Sequence, residues 1–535
     1  MPRTARRATA DRAPYVPQDR YVQEGLRAQM AVNPKKLRPY DEPPPARRPL
    51  IPDAPDSAAT GYLVLSFVWL AVTAGIGLLW VAMQVFPDLL TFAIDLQLPL
   101  IGTLSIELSP ISVQTGFTAA AIFGWISNAA FAAILFITPR ILGERLRLEP
   151  IAWLGIGAWN VGVAAGLAVV YLPNISQAGL ASVFPLPIDG LLLLGLLAVN
   201  GAFWLTLLGA RRLPYVSAWF FGVGLLAFLG LYTIASGLPL LGLDDTATAL
   251  LNAFTERGIE TYWVLGIALG TLFYVVPRVT VNPLASGGMG MLAWLLWAGA
   301  AGLSAIGALV DPSVPYLITA LGNVGTILLV APAFLAVAVL AMTMSGRWTL
   351  VLAPGTAAFA LVALAFVIGA SLLDAIGALR SVQDLVRNTE WRLGAWTWLT
   401  LGAATFAAFA LADHAAPRMM RRNWPESPLA AAQLWSAFLG AALTGLALVG
   451  AGIVHGSLIA DGAPPEEVSA TLAWFLVVAA GGIGLLGLAA IAGLVTLFLI
   501  YTSGRPAEYV VVDAPPATAG TGVDRNAAPA TATGR

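Results

Sequence analysis

The 535-residue sequence contains no cysteine and only two histidines, His414 and His455. The first absence excludes a disulfide framework, a thiolate metal site and an iron–sulfur cluster held by the chain itself. The second leaves two imidazoles, at the ends of two different apolar runs. Charge is scarce too: 11% of residues are Asp, Glu, Lys or Arg, and the net charge of −1 gives no basis for nucleic-acid binding.

What is present is apolar. Hydrophobic residues make up 58% of the chain and the mean hydropathy is +0.80. An uncharged run of about 20 residues matches the hydrocarbon thickness at helical rise. Twelve runs qualify, at 61–85, 111–137, 151–172, 189–210, 215–237, 259–277, 289–310, 315–344, 355–379, 393–413, 429–455 and 469–501. They do not alternate in the short segments of a barrel, so the fold class is an all-α integral membrane protein of about twelve transmembrane helices. The 54 glycines read as close helix packing, and the 17 tryptophans as markers of the membrane interfaces. No internal repeat stands out, which gives no support to an inverted-repeat transporter.

Orientation follows from the arginines. The stretch before the first span holds 11 Lys and Arg, and alternate short loops carry Arg140, Arg145 and Arg147, then Arg211 and Arg212, Arg278, Arg347, and Arg418, Arg421 and Arg422. The positive-inside tendency places both termini in the cytoplasm. The membrane expected is the inner membrane of a prokaryotic cell, with its bilayer as first partner. Residues 1–60 are rich in Arg and Pro, and the prolines Pro43, Pro44 and Pro45 cannot sustain a helix. This reads as a disordered cytoplasmic tail, 61–503 as the twelve-span domain, and 504–535, rich in Ala, Pro, Thr and Gly, as a second disordered tail.

Several short stretches resemble subunit I of the heme-copper oxidases, most closely the cbb-type cytochrome c oxidases. The best runs from Phe273 to Ser286 through Tyr274, Pro277, Arg278 and Pro283, similar to the end of that family's sixth span. Trp297-Ala298-Gly299 resembles the start of its copper-ligand segment, Ser345-Gly346-Arg347-Trp348 the turn after the eighth span, and Thr389-Glu390-Trp391 the entry to the tenth. The resemblance implies an oxidase subunit I-like bundle, with cytochrome and other membrane subunits of a respiratory complex as partners.

The same resemblance implies six ligand positions. Counting back from Pro277, the first copper ligand falls on Arg257, and the paired ligands after Trp-Ala-Gly on Ala301 and Gly302. The heme ligands of the tenth span fall on Ala395 and Thr397, and that of the second span on Phe117. None is a histidine. Heme iron needs an axial His, Met, Cys or Tyr, and the copper site needs neutral imidazoles; Arg257 would place a fixed positive charge there. His414 and His455 lie at opposite membrane faces, too far apart to share one heme, with His414 expected at the interface beside Arg418. Met342 and Met344 could ligate heme by their chemistry, but Met is also an ordinary filler of apolar cores.

The expectation is therefore a chain without heme or copper of its own, with heme in partner subunits. Bulky groups at Phe117 and at Trp396 and Trp398 are expected to close the heme volume. Candidate functional charges are Arg257 with Glu260 at i, i+3 near the start of the sixth span, Glu390 and Arg392 at the start of the tenth, and the deeper Asp374. They fill a vacated metal site, with Arg257 paired to Glu260 or Glu390, or dock an extracytoplasmic partner, or form a solvated rim. Three function classes stand: a structural subunit of a respiratory complex, a working cytochrome c oxidase-type subunit I, and a twelve-span transporter.

Overall fold

The computed structural model describes residues 54–86, 92–98, 102–172, 184–211, 213–422 and 428–504. Most of both expected tails lies outside these; of the described part, Ser57–Thr60 belong to the first helix, which starts four residues earlier than expected, and Gly504 follows the last. Twelve helices are long and apolar enough to cross a membrane: span 1 (Ser57–Val85), span 2 (Pro110–Leu142), span 3 (Glu149–Val169), span 4 (Leu186–Gly209), span 5 (Val216–Gly237), span 6 (Asp245–Thr280), span 7 (Gly287–Ile306), span 8 (Tyr316–Thr343), span 9 (Thr356–Gly377), span 10 (Trp391–Met420), span 11 (Leu429–Ala460) and span 12 (Pro465–Ser503). All twelve sequence runs become helices. Between spans 1 and 2, strands β1 (Phe92–Leu98) and β2 (Gly102–Leu108) form an antiparallel hairpin, with Phe92 opposite Leu108. The Glu107 N–H donates to the carbonyl of Tyr171 after span 3 (2.9 Å), which holds the hairpin against the bundle. The two ends of the bundle are named here the hairpin end and the arginine end.

Span 6 begins earlier than its hydropathy suggests. Asp244 caps it, its carboxylate accepting from the Ala247 N–H at 2.6 Å, and three polar, amphipathic turns precede the apolar run. Arg257 and Glu260 therefore lie well inside a helix, not at its start, and this is why they are buried.

Spans 2, 6 and 10 form the centre. Their most apolar stretches are 100%, 94% and 94% buried, against 39–56% for the other nine. Each carries a π-helical turn: Ala120–Ile126, Ile259–Leu265 and Trp398–Ala404. Each ends in Pro-Arg, at Pro139-Arg140, Pro277-Arg278 and Pro417-Arg418, followed four residues after the proline by a left-handed residue: Gly143 (φ 69°), Val281 (φ 54°) and Arg421 (φ 53°). Three residues before each proline stand Phe136, Tyr274 and His414. Their rings meet edge to face, with centroids 6.4 Å apart for Phe136–Tyr274, 6.4 Å for Phe136–His414 and 5.8 Å for Tyr274–His414. The chain thus repeats a pattern every fourth span, which corrects the reading that it has no internal repeat. The repeat escapes sequence inspection because it consists of a few residues per unit, separated by long variable stretches.

A π turn leaves a carbonyl without its usual i→i+4 partner, and inside a bilayer that carbonyl must be satisfied by protein. Ser127 Oγ donates to the Ile122 carbonyl (2.8 Å), and Thr405 Oγ1 to that of Thr400 (2.9 Å). Indoles from neighbouring spans complete the arrangement. Trp263 Nε1 of span 6 donates to Ser127 Oγ of span 2 (3.0 Å), and Trp125 Nε1 of span 2 to Thr405 Oγ1 of span 10 (2.8 Å). Trp297 Nε1 of span 7 donates to the Thr261 carbonyl (3.0 Å), and Trp159 Nε1 of span 3 to that of Phe123 (2.9 Å). These tryptophans are fully buried, so they are structural donors and not interface markers. Outer spans pack through small residues: a Cβ on Gly440 of span 11 would approach the Gly482 carbonyl of span 12 to 2.8 Å.

Trp125→Phe removes the donor to Thr405 and part of a buried ring system. A lost buried hydrogen bond costs about 1 kcal/mol, and the unfilled volume adds to it. In detergent-solubilised protein the thermal midpoint of Trp125→Phe is expected to fall by several degrees, while Trp474→Phe, at a position 77% exposed on span 12, leaves it unchanged.

Candidate functional site

At the hairpin end, five spans meet around a buried guanidinium. Arg257 of span 6 donates through Nε to Ser304 Oγ of span 7 (3.0 Å), and its Nη1 lies 3.1 Å from Glu260 Oε2 and 3.0 Å from Asp374 Oδ2 of span 9. Glu260 uses its other oxygen to accept from Arg392 Nη2 of span 10 (3.2 Å). Ser304 Oγ in turn shares a 2.9 Å hydrogen bond with Thr326 Oγ1 of span 8. Every hydrogen-bonding or ion-paired group in this chain comes from a helix, so its geometry is set by the packing of the bundle.

The expected partner set is half right. Glu260 pairs with Arg257, but Glu390 does not: its Oε2 lies 2.9 Å from His455 Nδ1 of span 11. Asp374 takes the remaining place on Arg257 and is not a lone carboxylate. The reading of a solvated rim is overturned for Arg257 and Glu260, whose side chains are 9% and 8% exposed; it holds for Arg392, at 56%. His414 is not interfacial. It is buried against Phe136 and Tyr274 at the arginine end, and its backbone carbonyl accepts from Arg418 Nη1.

Two cavities flank the ion chain. The larger, of about 420 Å³, is lined by Arg257, Asn323, Asp374, Gln383, Arg387 and Arg392 among others. The second, of about 350 Å³, is lined by Gln114, Thr118, Glu256, Glu260, Arg392 and Trp396 among others. Arg392 faces both, so the Arg392–Glu260 pair stands between them. The expectation that bulky groups close the interior does not hold at this end of the bundle, where Leu393 and Trp396 line the second cavity.

The six positions that the oxidase resemblance marks as ligands are occupied as follows. The Phe117 ring stacks on Trp80 (6.1 Å, 5° between planes) and meets Trp396 edge to face (5.7 Å). Ala395 and Thr397 are buried, and Thr397 Oγ1 donates within its own helix to the Leu393 carbonyl (2.7 Å). Neither cavity is lined by Ala395. Trp398 packs on Phe366, outside that aromatic group (5.6 Å). The Ala301 carbonyl accepts a 3.4 Å hydrogen bond from Thr261, and a Cβ on Gly302 would come within 2.7 Å of the Tyr262 hydroxyl. Arg257 is held as described above. None of these side chains offers iron or copper a donor, and Tyr262 and Phe117 fill the space beside two of them, so the residues present do not fit a heme or copper group. Among the described residues no group of three His, Cys, Asp or Glu side chains is placed to hold a metal ion. Met344 is a buried core residue, and Met342 is half exposed on the outside of span 8.

Sequence reasoning missed Asp374 as Arg257's partner and missed the Glu390–His455 pair. The available signal was composition: a carboxylate in an otherwise apolar span 9 and one of only two histidines, each needing a partner at membrane depth. Removing Arg257 strands Asp374 and leaves Glu260 with Arg392 alone, and breaking such a buried pair costs about 3–5 kcal/mol. Arg257→Ala is therefore expected to lower the yield of folded protein well below that of Arg347→Ala, a change in a loop at the arginine end; equal yields in the same membranes would show that the ion network does not support the fold.

The sequence profile described as Cytochrome C and Quinol oxidase polypeptide I matches residues 57–484, which contain spans 1 to 11 and half of span 12. The chain is also similar to the Cbb3-type cytochrome c oxidase subunit CcoN1 of Stutzerimonas stutzeri, at 24% identity over 396 residues, covering 71% of this chain and 79% of that protein. Twelve membrane-spanning helices and the profile match identify this multi-pass membrane protein as a member of the cytochrome c and quinol oxidase polypeptide I family, the heme-copper oxidase subunit I family.

Proposed function

We propose that the chain is a structural subunit of a respiratory electron-transfer complex, built on the oxidase subunit I scaffold but holding no heme or copper. The observation that carries this reading is the occupancy of the six positions above by Phe117, Arg257, Ala301, Gly302, Ala395 and Thr397. With Arg257 locked between Glu260 and Asp374, a second cation at that point would meet a fixed positive charge. In this reading hemes reside in partner subunits, and the ion chain replaces metal coordination as the tie between spans 6, 9 and 10. The name of the relative, a cytochrome c oxidase subunit, favours the competing reading of a catalytic subunit.

Absorption spectra and metal analysis separate the two. The isolated polypeptide, purified from cells that load heme into a control oxidase, is expected to show no Soret band and no stoichiometric iron or copper. A Soret band that stays with the isolated chain through denaturing-free purification would overturn the structural reading.

The location that goes with this reading is a bacterial cytoplasmic membrane, with the arginine end and both termini on the cytoplasmic side. Because the natural chain has no cysteine, single-cysteine variants report cleanly. In intact spheroplasts a membrane-impermeant maleimide is expected to label Ser469→Cys, an exposed position at the hairpin end, and to leave Ser345→Cys, exposed at the arginine end, unlabelled until the membrane is opened. The opposite pattern would invert the topology.

A further inference from the structure

The larger cavity at the hairpin end carries an imbalance of charge that the ion chain does not resolve. Three guanidinium groups line it, those of Arg257, Arg387 and Arg392. Among the described residues two carboxylates touch them: Asp374 and Glu260 both bind Arg257, and Glu260 also binds Arg392. Glu390 is taken by His455, and Asp384, three residues before Arg387, does not line the cavity. Among the described residues Arg387 has no ion-pair or hydrogen-bond partner for its side chain. It sits in the turn between the short helix Arg380–Val386 and span 10.

The rest of the lining supplies donors beside these cations. Asn323 Nδ2 donates to Gln383 Oε1 (3.0 Å), which fixes the orientation of the Gln383 amide and leaves its N–H groups to donate elsewhere. A volume of about 420 Å³ is of the size that holds a small-molecule ligand. Guanidinium groups bind carboxylate and phosphate oxygens in a bidentate manner, which makes an anion of that geometry the complementary occupant.

We propose that this cavity is a binding site for an oxoanion-bearing group, a phosphate or carboxylate, held by Arg387 and Arg392 with Gln383 as a neutral donor, while Arg257 remains in its ion pairs. The group can belong to a solute or to the headgroup of an anionic lipid, since the chemistry at the oxygens is the same. The site does not depend on whether the chain holds heme, and its failure would leave the structural reading intact.

The test uses the full chain in nanodiscs of uncharged phosphatidylcholine, titrated calorimetrically with inorganic phosphate at low ionic strength. Saturable binding is expected, weakened about tenfold or more in Arg387→Gln, the effect of losing one charge-assisted hydrogen bond, and largely retained in Arg387→Lys. Arg387 is exposed and has no partner among the described residues, so these variants should fold, and their thermal midpoints provide the check. In discs containing phosphatidylglycerol, reduced phosphate binding would identify the lipid headgroup as an occupant, and unchanged binding would identify a solute. If phosphate does not saturate the wild type, native mass spectrometry decides: phosphatidylglycerol adducts lost in Arg387→Gln support the site with the lipid as its ligand, and their absence overturns the proposal. Wild-type affinity for phosphate in Arg387→Gln overturns it as well, whatever the lipid.

Discussion

The three indole-centred hydrogen bonds that join spans 7, 6, 2 and 10 are the interaction on which the rest of the bundle depends. A π turn inserts one extra residue into a helix and rotates everything after it relative to everything before it. In spans 2, 6 and 10 that rotation separates the hairpin end, with its charges, from the arginine end, with its ring triad. The turn is tolerated only because Ser127, Thr405 and Trp297 satisfy the groups it disturbs, in a medium where an orphan carbonyl has no water to turn to. Each indole also fixes the distance between two helices, since a donor on one span must reach an acceptor on the next. Register and spacing are thus set by the same bonds.

This division of labour explains how a scaffold can outlast the chemistry associated with it. The residues that hold the centre together are Trp125, Trp263, Trp297, Ser127, Thr405 and the Pro-Arg ends. None of them stands at a position that the oxidase resemblance marks for a ligand. Changing Ala301, Ala395 or Phe117 therefore leaves the hydrogen-bonded frame in place, and only local space and charge have to be refilled. In the proposed reading Phe117 takes up that space, stacked on Trp80 and edge to face with Trp396, and Arg257 supplies the charge, held by Glu260 and Asp374.

The sequence makes the twelve spans legible because each needs only length and hydropathy, and these are local properties. Glu260 as partner of Arg257 is legible for the same reason: three residues apart on one helix, the two must face each other. Asp374 is more than a hundred residues away, and nothing local separates it from Glu390 as the second acid. The choice is made by how spans 6, 9 and 10 pack, which hydropathy does not encode. The burial of Arg257 was obscured by a helix start that hydropathy misplaces, since the turns from Asp245 to Gly258 are polar on one face and helical all the same. The π turns leave no mark in composition, and the three-span repeat becomes visible only when Phe136, Tyr274 and His414 are seen to touch.

The two ends of the bundle handle positive charge in different ways. At the arginine end, Arg140 and Arg418 follow the prolines that remove helix hydrogen bonds, and each turns back to a carbonyl four residues earlier, those of Phe136 and His414. Cations at a helix C-terminus are favoured by the dipole and lie within reach of water, so they need few acids; Arg140 has Asp56 in addition. At the hairpin end, Arg257 sits three turns into its own helix, against the last turns of spans 7 and 9, which supply Ser304 and Asp374, and carboxylates compensate it. Buried ion pairs of this kind give up much of their Coulomb energy to desolvation. They hold helices in register more than they stabilise them, because a guanidinium with two acids and a serine as partners has few alternative positions. For a subunit whose proposed role is to present a fixed surface to its partners, that loss of freedom at the hairpin end is the property the ion chain provides.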